Sequence, residues 1–238
     1  MGRPSKAANA QRKRRAKGHN IIIVHHPRDG WGESLQNNPK FQASINQVKF
    51  LEAPMVVKSK GPRGIPNSKW LQFMQSLKGA LEPAPLGGWK VVFGFTHGND
   101  QGKISFDPKA GDREDAHDWW TPIHHFSALY AMGIRRVHLH TCSVGGYLKK
   151  LPLNGVRQKD PLVVTAWDRE IFARDDGSCN SDGYLMEGLP SVRSMRSSTT
   201  RRSWNALIEI NVDSNGAVVS RTKCNKSTRC CGTPKPET

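Results

Sequence analysis

The feature that most constrains the fold is a series of short aliphatic runs, separated by longer amphipathic or polar segments. The runs are "IIIV" at 21–24, "VVFGF" at 91–95, "VHLH" at 137–140 and "LVV" at 162–164. Such runs are typical of strands buried on both faces, and buried strands that alternate with helices form parallel sheets. The sequence therefore predicts an α/β domain with a mainly parallel sheet flanked by helices on both faces.

Three of the intervening segments have apolar residues at helical spacing. They are 41–53, which ends before Pro54, 67–81, and 118–133, where Asp118 is the predicted N-cap and Gly133 ends the helix. The last apolar segment, 206–223, contains Ser214-Asn215-Gly216 and predicts a terminal hairpin.

Composition divides the chain into three parts. Residues 1–18 carry seven basic side chains and no acidic ones, which predicts a disordered basic arm. Residues 19–223 form the predicted domain, and 224–238 a polar C-terminal tail. The formal net charge is +16, and a basic arm attracts polyanions by releasing their counterions. The arm thus predicts a nucleic acid or another polyanion as a partner, with a solubilising tail as the alternative.

The sequence also predicts where the protein works. No apolar run reaches the roughly 18 residues of a membrane span, and the run at 21–24 is too short for a signal peptide. We expect an intracellular protein without a membrane partner, cytoplasmic or, in a eukaryotic cell, directed to the nucleus by "RKRR" at 12–15. Five cysteines, an odd number in such a chain, favour free thiols.

Two of the predicted strands end in reactive side chains. "VVFGFT" leads into His97-Gly98, and "VHLHT" leads into Cys142-Ser143. Functional groups collect at the carboxyl ends of parallel strands, so an imidazole and a nucleophile are expected at one edge of the sheet.

Ser143 is one candidate nucleophile. Its surroundings resemble the strand-to-helix elbow of α/β-hydrolases, but that family needs a histidine downstream of the serine, and the last histidine here is His140. The thiol of Cys142 needs only a nearby imidazole, which His97 can supply from upstream. We therefore favour Cys142, keep Ser143 as a weaker alternative, and expect the pair Gly145-Gly146 to form a substrate-binding turn rather than the start of a helix.

At these two motifs the chain resembles the caspase-like cysteine peptidases, which include caspases, metacaspases and related bacterial and viral proteins. Their signature is an aliphatic strand that ends in His-Gly, followed about 50 residues later by a strand that ends in a small residue and Cys. Here the His and the Cys are 45 residues apart and in the right order. The resemblance extends over roughly residues 20–190, but its specific part is the two motifs.

The resemblance implies a caspase-like fold and a role for each matching residue. Cys142 would be the nucleophile, His97 the general base and leaving-group acid, and the N–H groups of Gly98 and Cys142 the oxyanion hole. It implies a peptide or protein substrate and no cofactor. The competing interpretation is a non-catalytic protein that keeps this fold and binds nucleic acid, another polyanion or a protein partner.

Substrate preference is the least constrained part of this resemblance. "HTCSVGG" differs from the "QACRG" of caspases, so a strict preference for cleavage after Asp is not expected. Metacaspase-like members hold a basic P1 side chain with carboxylates, a role that Asp168, Asp175 or Asp176 could fill here. An exposed acidic loop without such a role is the alternative.

A metal site is not predicted. Histidines cluster in the middle of the chain, but His138 and His140 share a strand face, and His124 and His125 point to different sides of a predicted helix. No carboxylate or thiol at suitable spacing completes a zinc site, and the cysteines of the tail lack a CxxC pair.

Overall fold

The computed structural model of the chain describes residues 19–26, 30–54, 67–105, 119–120, 122–168 and 207–223. Its strands are β1 (His19–His25), β2 (Ile45–Glu52), β3 (Lys90–Gly98), β4 (Ile104–Ser105), β5 (Trp119–Trp120), β6 (Arg136–Thr141), β7 (Leu162–Trp167), β8 (Leu207–Val212) and β9 (Val218–Lys223). Its α-helices are α1 (Trp31–Gln36), α2 (Pro39–Ser44), α3 (Asn67–Ala80), α4 (Phe126–Ala131) and α5 (Val144–Leu148). The predicted arm and tail lie outside the described residues.

The strands form a mixed sheet in the order β2-β1-β3-β6-β7-β8-β9. The first five strands in this order run parallel, and β8 and β9 add an antiparallel hairpin at one side. The short strands β4 and β5 extend the end of β3. The predicted α/β class with a mostly parallel sheet is confirmed.

Alternate residues of β1 and β3 enter different hydrophobic clusters, because successive side chains point to opposite sides of a sheet. In β1, Ile22 and Val24 belong to a large cluster that includes apolar residues of α3, α4 and α5. Ile21 and Ile23 belong to a smaller cluster with Trp31, Leu35 and Phe41. All four β1 residues are fully buried, which explains why this strand appears in the sequence as an unbroken aliphatic run.

The predicted helix over 41–53 is wrong. Helix α2 ends at Ser44, and Ile45 begins β2, which pairs with β1 along its whole length. The apolar spacing is ambiguous because β2 is an edge strand, whose partly exposed residues do not alternate cleanly between the two faces. The hydrogen bonds that β1 offers therefore outweigh the helical pattern.

The predicted helix over 118–133 is shorter than expected, whereas the other two predicted elements are confirmed. Pro122 opens a 3₁₀ turn that ends at His125, and α4 follows. Proline disfavours helical backbone in the residue before it, which places the boundary there. The segment 67–81 forms α3, and 206–223 forms the β8–β9 hairpin. Within these described ranges no helix is long and apolar enough to cross a membrane.

Candidate active site

The predicted reactive residues lie at the carboxyl edge of the parallel strands, where β3, β6 and β7 end side by side. His97 and Gly98 are the last residues of β3, Cys142 directly follows β6, and Asp168 directly follows β7. Because β6 lies between β3 and β7, Cys142 is flanked by the ends of both neighbouring strands. The structure thus brings together His97, Gly98, Cys142 and Asp168, while Asp175 and Asp176 lie outside the described residues.

A bulge sets the register of the two central strands. Gly94 of β3 is the partner of His140 in β6, but the next pair is Thr96 with Thr141, so β3 has one extra residue at this point. The positions that follow the second pair are His97 and Cys142, both half-buried. The extra residue therefore determines that His97 and Cys142 leave the sheet from adjacent places.

Gly98 is a point of close approach between the two strand ends. A Cβ atom at Gly98 would lie 2.3 Å from the Cys142 carbonyl oxygen and 2.5 Å from Thr141 Oγ1. Real Cβ atoms essentially never show such distances, so a larger residue would push β3 away from β6. The group that requires glycine at position 98 is therefore the backbone of Cys142.

The chain turns sharply between β6 and α5. Ser143 has φ 57°, and among the described residues it is the only non-glycine residue with a positive φ. Val144 N–H donates to the Cys142 carbonyl at 2.7 Å, and α5 begins at Val144. A strand, turn and helix therefore follow each other here, with Cys142 at the tip of the strand.

The glycine pair after this turn belongs to α5, so its predicted role as a substrate-binding turn is wrong. A Cβ atom at Gly145 would lie 2.7 Å from both Asp168 N and Trp167 C. At Gly146 a Cβ atom would lie 3.7 Å from Asp100 Cβ, an ordinary contact. Gly145 is therefore needed so that α5 can pack directly against the end of β7, and Gly146 is not.

Asp168 is held by an ion pair with Lys149 of the same carboxyl edge. The Asp168 side chain is 8% exposed, and the Lys149 side chain is 38% exposed. Asp168 Oδ2 accepts the hydrogen bond, while Oδ1 is buried and has no hydrogen-bond partner among the described residues. A buried carboxylate oxygen without a donor is costly, so a cation or N–H group that reached Oδ1 would be favourable.

Two buried histidines lie in β6 below the candidate nucleophile. His138 Nδ1 lies 2.8 Å from Thr165 Oγ1, and His138 Nε2 lies 3.2 Å from His140 Nδ1. The His140 ring stacks on Trp31, with 4.9 Å between the ring centroids. Trp31 also explains why residue 94 is glycine, because a Cβ atom there would lie 1.9 Å from the indole ring.

Burial lowers the pKa of His138 well below its ordinary value, and the charges of Lys90 and His140 lower it further. The hydrogen bond to Thr165 acts in the opposite direction but does not outweigh burial. His138 is therefore neutral at physiological pH. The alternation of His138 and His140 with Val137 and Leu139 indicates a shared face, but nothing in the sequence shows that they bond to each other.

Sequence analysis did not single out the histidine that ends β1. The ring of His25 lies against Gly32 and makes an edge contact with Phe50, and His25 Nδ1 lies 3.2 Å from the carbonyl of His26. Since β1 is the neighbour of β3, His25 lies at the same edge as His97 but on the side away from Cys142. The pattern that could have identified His25 is "IIIVHH", an aliphatic run followed by histidine, like the run that precedes His97 in β3.

The arrangement can support thiol chemistry with an imidazole from a neighbouring strand and a buried carboxylate on the other side. It depends on the bulge in β3, the absence of a Cβ at Gly98 and the turn at Ser143. Comparison of the sequence with protein-family models and with curated proteins finds no match to either.

Proposed function

We propose that the protein is a caspase-like cysteine endopeptidase in which Cys142 is the nucleophile and His97 the general base. The observation that carries the proposal is the register of β3 and β6, which puts these two residues directly after the paired Thr96 and Thr141. A nucleophile and a base on adjacent strand ends are what thiol activation requires.

The architecture supports the family assignment as well. In the caspase-like peptidases that the chain resembles, the strand that ends in His-Gly and the strand that ends in Cys belong to one parallel sheet with helices on both faces. Here β3 and β6 are parallel neighbours, and the apolar residues of α1 and α2 pack with a different cluster from those of α3, α4 and α5. Both features are consistent with a caspase-like fold.

The proposed reaction proceeds through a thioester. The Cys142 thiolate attacks the scissile carbonyl carbon, and the displaced electron pair moves to the carbonyl oxygen, which the N–H groups of Gly98 and Cys142 stabilise. The carbon–nitrogen bond then breaks, and the His97 imidazolium donates its proton to the leaving amine. Water, deprotonated by His97, attacks the thioester and releases the acid product and the thiolate.

For the substrate, we propose a basic P1 side chain that is recognised by carboxylates of the carboxyl edge. Asp168 supports this idea because its Oδ1 is buried without a donor from the described residues. Lys149 already neutralises much of its charge, so a substrate cation would share Asp168 with Lys149. Asp175 and Asp176 remain candidates from the sequence alone.

A cleavage profile with a peptide library tests both the activity and the P1 preference. We expect cleavage after Lys or Arg by the unaltered protein and none by Cys142→Ala or His97→Ala. Ser143→Gly is the matched control, because it removes the hydroxyl but keeps a residue that readily adopts positive φ.

Each outcome of this experiment is informative. Loss of cleavage in Ser143→Gly together with full cleavage in Cys142→Ala would instead identify the serine as the nucleophile. Retained cleavage in His97→Ala would refute the proposed base. If a correctly folded protein cleaves no peptide in the library, the endopeptidase proposal fails, and a non-catalytic binding protein on this fold becomes the better interpretation.

A further inference from the structure

The described charged residues are distributed differently at the two edges of the parallel sheet. At the carboxyl edge they include two ion pairs, Lys149 with Asp168 and Lys150 with Asp100, whose Nζ and Oδ2 atoms are 3.9 Å apart. The opposite edge, where β1, β3, β6 and β7 begin, is here called the amino edge. Seven described basic side chains lie at or reach this edge: Lys49, Lys78, Lys90, Arg135, Arg136, Arg157 and Lys159. The described acidic side chains there are three: Glu82, Asp160 and Asp213.

The strand register places the centre of this basic group. Lys90 and Arg136 are the first residues of β3 and β6 and are register partners, so two positive charges stand side by side. Arg135 precedes β6 directly. Like charges at paired positions repel each other, and a bound anion relieves that repulsion.

Loops and a helix end extend the basic group on both sides. Arg157 and Lys159 lie in the loop before β7 and are exposed. Val156 N–H, next to Arg157, donates to Asp213 Oδ2 at 2.8 Å, which ties this loop to the β8–β9 turn at the same edge. On the other side, Lys78 is in the last turn of α3 and is exposed.

Two of the three acidic side chains are already engaged. Asp160 accepts a hydrogen bond from Arg135 Nε at 2.8 Å. Burial alone would raise the pKa of Asp213, but N–H groups of Val156, Ala217, Asn215 and Gly216 together hold it below its usual value. Among the described residues, seven basic and three acidic side chains give this edge a formal charge of +4.

The basic arm joins the protein at this same edge. β1 begins at His19 and runs parallel to β3, so residues 1–18 precede the amino end of the sheet. The seven basic residues of segment 1–18 therefore precede this edge along the chain.

We infer that the amino edge forms a nucleic-acid-binding surface at the end of the sheet opposite the candidate active site. Contacts of Lys and Arg with backbone phosphates, independent of base sequence, would supply the affinity. Three of the seven basic side chains at this edge are arginines, whose planar guanidinium groups match phosphate geometry. The arm contains no aromatic or branched aliphatic residue for insertion into a bilayer, which favours nucleic acid over an anionic membrane.

The test measures binding of the full chain to a short labelled DNA duplex of mixed sequence, between about 50 and 200 mM salt. The variant carries Lys78→Glu, Arg157→Glu and Lys159→Glu. Its matched control carries Lys69→Glu, Lys150→Glu and Lys223→Glu, which are also exposed and change the net charge equally. We expect the variant to bind at least about tenfold more weakly, with a salt slope smaller by about three, while the control changes little.

Three results would overturn the inference. The first is that both triple variants bind the duplex equally more weakly, and the second is that the amino-edge variant binds normally while deletion of residues 1–18 abolishes binding. The third is that the protein binds phosphatidylserine vesicles but not the duplex. The last would favour a membrane, to which the fully exposed Leu86 of this edge is suited. If the triple variant unfolds, the double variant Arg157→Ala with Lys159→Ala replaces it. Its salt slope should be smaller than that of the unaltered protein by about two. Cys142→Ala should bind like the unaltered chain, so this result is independent of the proposed peptidase activity.

Discussion

His138 makes the stability of the fold depend on pH. Its pKa in the folded protein is well below the ordinary 6.5 because the ring is buried, so the unfolded chain binds more protons than the folded one below about pH 6.5. The free energy of unfolding should therefore fall as the pH drops below that value, by up to about 1.4 kcal/mol per pH unit from this residue.

The measurement is urea unfolding at pH 7 and pH 5. His138→Gln should show a smaller loss of stability between the two pH values than the unaltered protein does. His124→Gln, at an exposed histidine of the 3₁₀ turn, is the control and should retain the full loss. An identical pH dependence in His138→Gln and the unaltered protein would show that His138 is not buried in its neutral form.

At the scale of elements, the packing of α5 on the end of β7 depends on one glycine of a pair. Gly145→Ala forces a Cβ to within 2.7 Å of the Asp168 backbone nitrogen, so α5 must shift, at a cost of about 1–3 kcal/mol. Gly146→Ala meets only an ordinary contact and should be neutral or more stable by up to about 1 kcal/mol, because alanine favours helix. Urea midpoints measure the difference, and equal destabilisation by both substitutions would argue against this packing.

Strands could be predicted from the sequence where burial on both faces gives the strand a run of apolar residues. β1, β3, β6 and β7 have neighbours on both sides and appear as aliphatic runs. β2 was mistaken for a helix because an edge strand has no such run. The bulge between Gly94 and Thr96 has no sequence signal at all, since it follows from how β3 pairs with β6, and yet it determines where His97 lies.

At the scale of the whole molecule, the sheet separates the candidate chemistry from the basic surface. The rule that functional groups collect at the carboxyl ends of parallel strands correctly predicted that His97 and Cys142 lie at one edge, and Asp168 lies there as well. The ion pair between Lys149 and Asp168 and the basic residues of the amino edge could not be inferred in the same way. Both features depend on which loops lie close together in the folded protein, whereas the sequence shows only the positive charge of residues 1–18.

The proposed peptidase chemistry depends most on the activation of the Cys142 thiol by His97. The rate of alkylation of Cys142 by iodoacetamide at pH 7, followed by peptide mapping, tests it without any knowledge of the substrate. Because the thiolate is the reactive species, we expect His97→Ala to slow alkylation of Cys142 by at least about tenfold. Ser143→Gly should leave the rate unchanged. Equal rates in the unaltered protein and His97→Ala would contradict the proposed dyad.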